Sequence, residues 1–268
     1  MRRTAANCRF PGGGECMNYI TGDTHGNQFK WVEQIDPVLK AGDKIIVAGD
    51  FGMGFWNGRY WSEELFFDWL ARQPYTVLFC DGNHEDFDKL EKYPVTQWNG
   101  GRVQCIRPNV IHLMRGEVYD LDGQRIFVFG GGYSMDKAYR EPGVSWWPQE
   151  MPSTEEYENG EANLDACGRK VDCMITHTAP SETVYALSTM FREQIKPAMQ
   201  EEFRLNSFLD ALQRTVEYQR WYFGHFHVDA ELWRNQTVVF STIRQLETGK
   251  IVHQWPSYEK WKPLEKFE

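Results

Sequence analysis

The chain has 268 residues, 41% hydrophobic and 15% aromatic, enough for a large core; this excludes a disordered protein and fits one domain better than two. Lys+Arg 29 against Asp+Glu 38 gives a formal charge of −9 with no basic run, which counts against a sequence-independent nucleic-acid binder. Cys8, Cys16, Cys80, Cys105, Cys167 and Cys173 form no C-x-x-C pair and follow no apolar leader, so a reducing, cytoplasmic setting is expected, and no run is long and apolar enough for a membrane span.

Residues 1–16, with Pro11-Gly12-Gly13-Gly14, read as a disordered extension ahead of a single domain over 17–268. Met17–Thr21 is the first expected strand, and it ends in Gly22-Asp23-Thr24-His25-Gly26. A helix is predicted over Gln28–Lys40 from Phe29, Val32, Ile35 and Leu39, with Pro37 able to shorten it. Lys44–Ala48 follows as a strand and opens into Gly49-Asp50-Phe51-Gly52. Ser62 then caps a helix whose buried stripe is predicted as Leu65, Phe66, Trp69 and Leu70. The strand Thr76–Cys80 ends in Asp81-Gly82-Asn83-His84-Glu85. This β-α-β-α-β order implies parallel strands with one shared face at their C-terminal ends.

From Val103 to Leu113 and from Glu117 to Gly130 the pattern changes to short strands, with a hairpin turn at Asp122-Gly123, and a mostly antiparallel second sheet is expected. Residues 131–169 form a long polar segment read as a rim or lid insertion, with a helix from Thr154 to about Asp165 capped by Ser153. The strand Val171–Thr176 ends at His177. A helical stretch over roughly Pro197–Thr215 precedes the strand Tyr218–Phe223, which ends in Gly224-His225-Phe226-His227. Strand pattern returns at Glu231–Trp233 and Thr237–Phe240.

The strand ends therefore carry Asp23 and His25, Asp50, Asn83 and His84, His177, and His225 and His227. Singly, an Asp-x-His or a histidine after an apolar strand is most often a satisfied loop residue. Together, at successive strand ends, they make that reading hard to sustain. Extended backbone would point residues i and i+2 to one side, so Asp23 would meet His25 and His225 would meet His227. Imidazole and carboxylate without thiolate suit Mn, Fe, Zn or Ni, and the number of donors fits two ions sharing a carboxylate. His112 and His253 stand in strand-like contexts and read as structural.

The series Gly22-Asp23-Thr24-His25-Gly26, Gly49-Asp50, Gly82-Asn83-His84-Glu85, His177 and Gly224-His225-Phe226-His227 resembles the calcineurin-like metallophosphoesterase superfamily over about Met17–His227. The resemblance implies an α/β fold, a two-sheet mixed β-sandwich flanked by helices in four αββα layers. It implies one divalent metal on Asp23, His25 and His227, a second on Asn83, His177 and His225, and Asp50 bridging them, with Mn the first expectation. A hydroxide bridging the metals would attack phosphorus in line, and His84 would donate a proton to the leaving oxygen or stabilise the transition state. Two divalent ions against Asp23 and Asp50 leave a positive site in an acidic protein, suited to a small phosphorylated substrate such as a nucleotide, a phosphomonoester or a phosphodiester. The protein serine/threonine phosphatases carry Asp-Arg after the bridging aspartate, where this chain has Met53-Gly54; the carboxylate behind His84 is left open between Asp81, Glu85 and Asp86. Arg140, Lys137 and Arg59 are candidate substrate contacts, with Trp56 beside Arg59. A nuclease of the same superfamily and a non-catalytic binding scaffold are the alternatives, although scaffolds usually lose ligands and here every expected position is filled. Nothing in the sequence points to an oligomeric state.

Overall fold

The computed structural model describes residues 16–54, 62–192, 195 and 200–255. Arg59, Trp56, the Pro197 end of one expected helix and, apart from Cys16, the expected N-terminal extension lie outside the described residues.

The apolar runs of the first half build one sheet from β1 (Asn18–Thr21), β2 (Lys44–Val47), β3 (Thr76–Phe79), β4 (Val95–Trp98), β5 (Gly101–Arg107) and β6 (Val110–Leu113). The second sheet holds β7 (Glu117–Leu121), β8 (Gln124–Phe129), β9 (Cys173–Thr176), β10 (Arg220–Phe223), β11 (Ala230–Glu231) and β12 (Gln236–Val238). The chain then returns to the first sheet with β13 (Thr242–Gln245) and β14 (Ile251–Gln254). The orders are β14-β13-β1-β2-β3-β6-β5-β4 and β11-β12-β10-β9-β8-β7.

Alternation along each strand explains the layers. Ile20, Ile46, Ala48, Leu78 and Cys80 face Ile126, Val128, Cys173, Ile175 and Tyr222 between the sheets. The residues one step away point outward and are covered by helices. Tyr19, Ile45, Val47, Val77 and Phe79 pack under Trp31, Ile35 and α1 (Glu63–Ala71). On the far side Phe127, Phe129, Met174, Trp221 and Phe223 pack under α3 (Thr154–Ala166), α4 (Ser181–Met190) and α5 (Phe203–Thr215). A single turn, α2 (Phe87–Leu90), follows the Asn83 loop. Two mixed sheets flanked by helices give the expected four layers. Each fully buried aliphatic side chain in them contributes ~1.5–3 kcal/mol.

Several local expectations change. The second sheet is not mainly antiparallel, because β8-β9, β9-β10 and β10-β12 all pair parallel. The connections decide this: α3 crosses from β8 to β9, and α4 and α5 cross from β9 to β10, whereas the hairpins β7-β8 and β11-β12 lie at the two edges. The strands β5 and β6 belong instead to the first sheet, where β6 runs parallel to β3. On α1 the buried face is Phe66, Phe67 and Leu70, with Trp69 partly covered; Leu65 is 57% exposed. Ser62 caps α1 as expected, and Ser153 with Glu156 forms a reciprocal capping box on α3. The segment after Asn27 is helical but not a regular α-helix. It widens to a π-helical stretch over Lys30–Ile35, tightens at Asp36–Val38 around Pro37, and buries Lys30, Trp31 and Ile35 rather than Phe29, Val32 and Leu39.

Candidate metal centre

Parallel pairing in both sheets brings the C-terminal ends of β1, β2, β3, β9 and β10 to one edge of the sandwich. Every expected ligand lies just beyond one of these ends, and four of the seven are not in extended backbone. His25 (φ 49), Asp50 (φ 49), His225 (φ 68) and His227 (φ 53) are all left-handed. Such residues cost ~1–3 kcal/mol each and persist where surrounding structure imposes them. Convergence therefore comes from tight left-handed turns, and the two-residue strand period does not explain it. His225 and His227 are in fact directed to different partners.

One group gathers Asp23, His25, Asp50 and His227, whose ligand atoms all lie within 4.8 Å of one another. His227 Nε2 is 3.0 Å from Asp23 Oδ2 and 2.9 Å from His25 Nε2. His25 Nδ1 is buried without a hydrogen-bond partner among the described residues, 3.8 Å from Asp50 Oδ2. Phe240 stacks on the His227 ring at 4.7 Å.

The other group forms around Asn83. Its Oδ1 is 3.1 Å from His177 Nε2 and 3.0 Å from His225 Nδ1, and those two nitrogens are 3.2 Å apart. His177 Nδ1–H donates to the Ala48 carbonyl at 3.0 Å, which turns Nε2 toward the centre. Asp50 stands between the groups, with Oδ1 3.3 Å from His177 Nε2 and Oδ2 on the His25 side.

Two tests bear on a cation. Donors bound at ~2.1 Å to a common ion lie ~3.0–3.4 Å apart, the range of most of these spacings. The His25 and His227 ring nitrogens, 2.9 Å apart beside the Asp23 and Asp50 carboxylates, also crowd potential acceptors into one buried place, an arrangement that positive charge relieves. The charges of the chain's own groups are arranged around the same demand. Burial would push both carboxyls up, yet the His227 hydrogen bond and His177 hold Asp23 at about 2, and His177 and His84 hold Asp50 well below the usual range. Against its burial, His177 is raised to about 10 by Asp50. Burial lowers His25 and His225 to about 3, leaving neutral imidazoles able to ligate. The residues fit a divalent metal.

Glycines make room for this crowding. A Cβ on Gly82 would fall 2.0 Å from Asp50 Oδ1, and one on Gly224 would fall 2.1 Å from Asp23 Oδ1.

The three carboxylates considered for His84 are engaged elsewhere. Asp81 binds Arg115 and His112, Asp86 caps α2, and Glu85, fully buried, accepts the Gly52 and Met53 N–H groups. The residue beside His84 is instead Arg140, with Nη1 2.9 Å from Nδ1 and Nη2 3.4 Å from Nε2. Asp136 and the Ser145 carbonyl hold that guanidinium in place. Lys137 points to buried Glu150, 2.5 Å away, and over the Tyr133 and Trp146 rings. His112 bridges Gln104 and Asp81, and His253 meets Gln34, so both are structural as expected. Sequence reasoning missed Lys30, whose buried ammonium donates to the carbonyls of Asp23 and Phe240 at 2.6 and 2.9 Å and ties the Asp23 loop to the ring under His227. A lysine within an apolar helical stretch was the available signal.

No helix among the described residues is long and apolar enough to cross a membrane. A search among curated proteins finds no match to the chain. The sequence profile of the family described as calcineurin-like phosphoesterase matches residues 19–229, most of the chain and every ligand candidate. With that match and an Asp/His cluster suited to metal-dependent phosphoester hydrolysis, the chain belongs to the calcineurin-like phosphoesterase family.

Proposed function

We propose that the protein hydrolyses a small phosphomonoester or phosphodiester at a two-metal centre. Asp23, His25 and His227 would hold one ion, Asn83, His177 and His225 the other, and Asp50 both. The observation that carries this reading is the position of Asp50, whose two carboxylate oxygens face different ligand groups. Bound there, the ions would supply positive charge for the phosphoryl oxygens and acidify a water toward neutral pH, with Mn the first candidate.

The remaining steps belong to the protein. Arginine only donates, so the shorter Arg140 contact requires His84 Nδ1 to accept and leaves the proton on Nε2. That nitrogen lies 3.9 Å from Asp50 Oδ2, on the site side. Burial lowers His84 to about 4, Asp50 opposes this and Arg140 adds to it, so the ring is neutral near pH 7. His84 then acts as a hydrogen-bond donor to the reacting phosphate or leaving oxygen, and Arg140 supplies positive charge beside it. His227 is half exposed on the open side, so a small phosphate group reaches the centre from there. The acidic balance of the chain suits a small substrate better than a polyanion.

The test is turnover of p-nitrophenyl phosphate and its bis-ester with Mn²⁺. Hydrolysis of either, abolished by chelation and restored by metal, is expected. Folded, metal-loaded protein with no turnover of any phosphoester would favour a binding scaffold.

A further inference from the structure

On the side of Asn83 away from His177 and His225 runs a buried chain of hydrogen bonds that the ligand set does not account for. Asn83 Nδ2 donates to Ser134 Oγ over 3.1 Å. Ser134 Oγ lies 2.7 Å from Glu150 Oε2, and the Ser134 N–H donates to Glu150 Oε1 over 3.0 Å. Lys137 Nζ stands 2.5 Å from the same Oε1. Ser134 is 1% exposed and Glu150 is fully buried.

The two ends of an asparagine amide are nearly identical in shape but opposite in chemistry. Oxygen can ligate a cation, whereas the NH₂ group offers only donors. Packing alone therefore does not decide which end faces the metal. A serine hydroxyl has one proton, and whichever neighbour takes it fixes what the other neighbour meets. Here the neighbour is a carboxylate, an acceptor paired with Lys137. We propose that Glu150 and Ser134 are positioning residues. By taking the single Ser134 proton, Glu150 leaves only lone pairs facing Asn83, and this commits the amide to present its oxygen to the second metal position. The proposal rests on the two-metal reading above and adds residues from the loop after β8 to that site.

An isosteric change reverses the polarity without removing an atom's worth of packing. In Glu150→Gln the Oε1 position still faces two donors, Ser134 N–H and Lys137, so the amide oxygen settles there. The new NH₂ then faces Ser134 Oγ, which accepts from it and turns its own proton toward Asn83. Asn83 flips, and the second position loses its oxygen ligand. Asn83→Asp presents the same oxygens either way round. Alone it meets the Ser134 lone pairs, and combined with Glu150→Gln it receives the Ser134 proton.

The experiment is calorimetric titration of metal-free protein with Mn²⁺, with thermal melting as the check on fold. Wild-type protein should take two equivalents. Glu150→Gln should weaken the second by about 10–100-fold and leave the first unchanged, the usual effect of removing an outer hydrogen-bond partner. The Glu150→Gln/Asn83→Asp double variant should recover the second equivalent, although Asn83→Asp alone weakens it. If Glu150→Gln does not fold, Ser134→Ala, which removes one hydroxyl, carries the same test and should also weaken the second equivalent. Two equivalents at wild-type affinity in the folded variant would overturn the relay alone. A single equivalent in the wild-type protein would refute the two-metal reading, and the relay with it.

Discussion

Arg140 stands 2.9 Å from Nδ1 of His84, and the two residues are 56 positions apart in the chain. The guanidinium occupies the place where a carboxylate behind the histidine was expected, and this changes what the histidine can do. With Nδ1 accepting from Arg140, His84 offers one N–H, on Nε2, toward the centre, 3.9 Å from Asp50 Oδ2.

His84→Ala is therefore expected to keep its metal and lose kcat by about 10²–10⁴-fold, as for removal of a positioned proton donor. The loss should be larger for phenyl phosphate than for p-nitrophenyl phosphate, because the poorer leaving group needs the donor more. Metal content by mass spectrometry together with the two kcat values checks both parts.

Arg140→Gln removes one of the causes that lower His84, so the His84 pKa rises from about 4. Activity that needs a neutral His84 is present above this pKa and lost as pH falls through it. The acid limb of the kcat profile should move to higher pH in Arg140→Gln, and an unmoved limb would separate Arg140 from His84 function.

Asp50→Asn should remove the carboxylate that faces both ligand groups and lower turnover by at least about 10³-fold with the fold retained. Metal binding is also linked to stability. At 100 times its Kd one bound ion adds about 3 kcal/mol, so Mn²⁺ should raise the melting temperature of the wild-type protein and much less that of Asp50→Asn.

Gly82→Ala introduces a methyl 2.0 Å from Asp50 Oδ1 and 2.7 Å from His177 Nε2. Loss of bound metal is expected from this single added carbon. An alanine at Gly123, where a Cβ meets nothing within 4 Å, should leave metal content unchanged and cost only the strain of its left-handed turn, ~1 kcal/mol.

The buried Asp81–Arg115 pair behind the site predicts acid behaviour. Burial would raise the Asp81 carboxyl, but Arg115 and His112 hold it at about 2, below its ordinary 3.8. Its contribution, on the order of 2 kcal/mol, is present above about pH 4 and lost as pH falls through about 2. Arg115→Met leaves the buried carboxylate with His112 alone, so about 3–5 kcal/mol of destabilisation near pH 7 and a weaker loss of stability between about pH 4 and pH 2 are expected in a denaturation series.

The sequence by itself determined the parts of this protein that are local. Apolar runs ending in Gly-Asp or Gly-Asn-His, capping serines at Ser62 and Ser153, and helices between strands specify an α/β sandwich with polar clusters at its strand ends. They do so because strand period, caps and turns are written within a few residues. Tertiary structure decided which clusters meet. Crossovers by α3, α4 and α5 make the central strands of the second sheet parallel and so bring His177 and His225 to Asn83, while left-handed turns, not strand alternation, aim His25, Asp50, His225 and His227. The partners of the centre were decided there as well. Arg140 at His84, Glu85 under the Asp50 loop and Glu150 behind Ser134 are ionisable groups, the two glutamates fully buried, whose partners come from distant chain segments, and no spacing within the sequence encodes such a pairing.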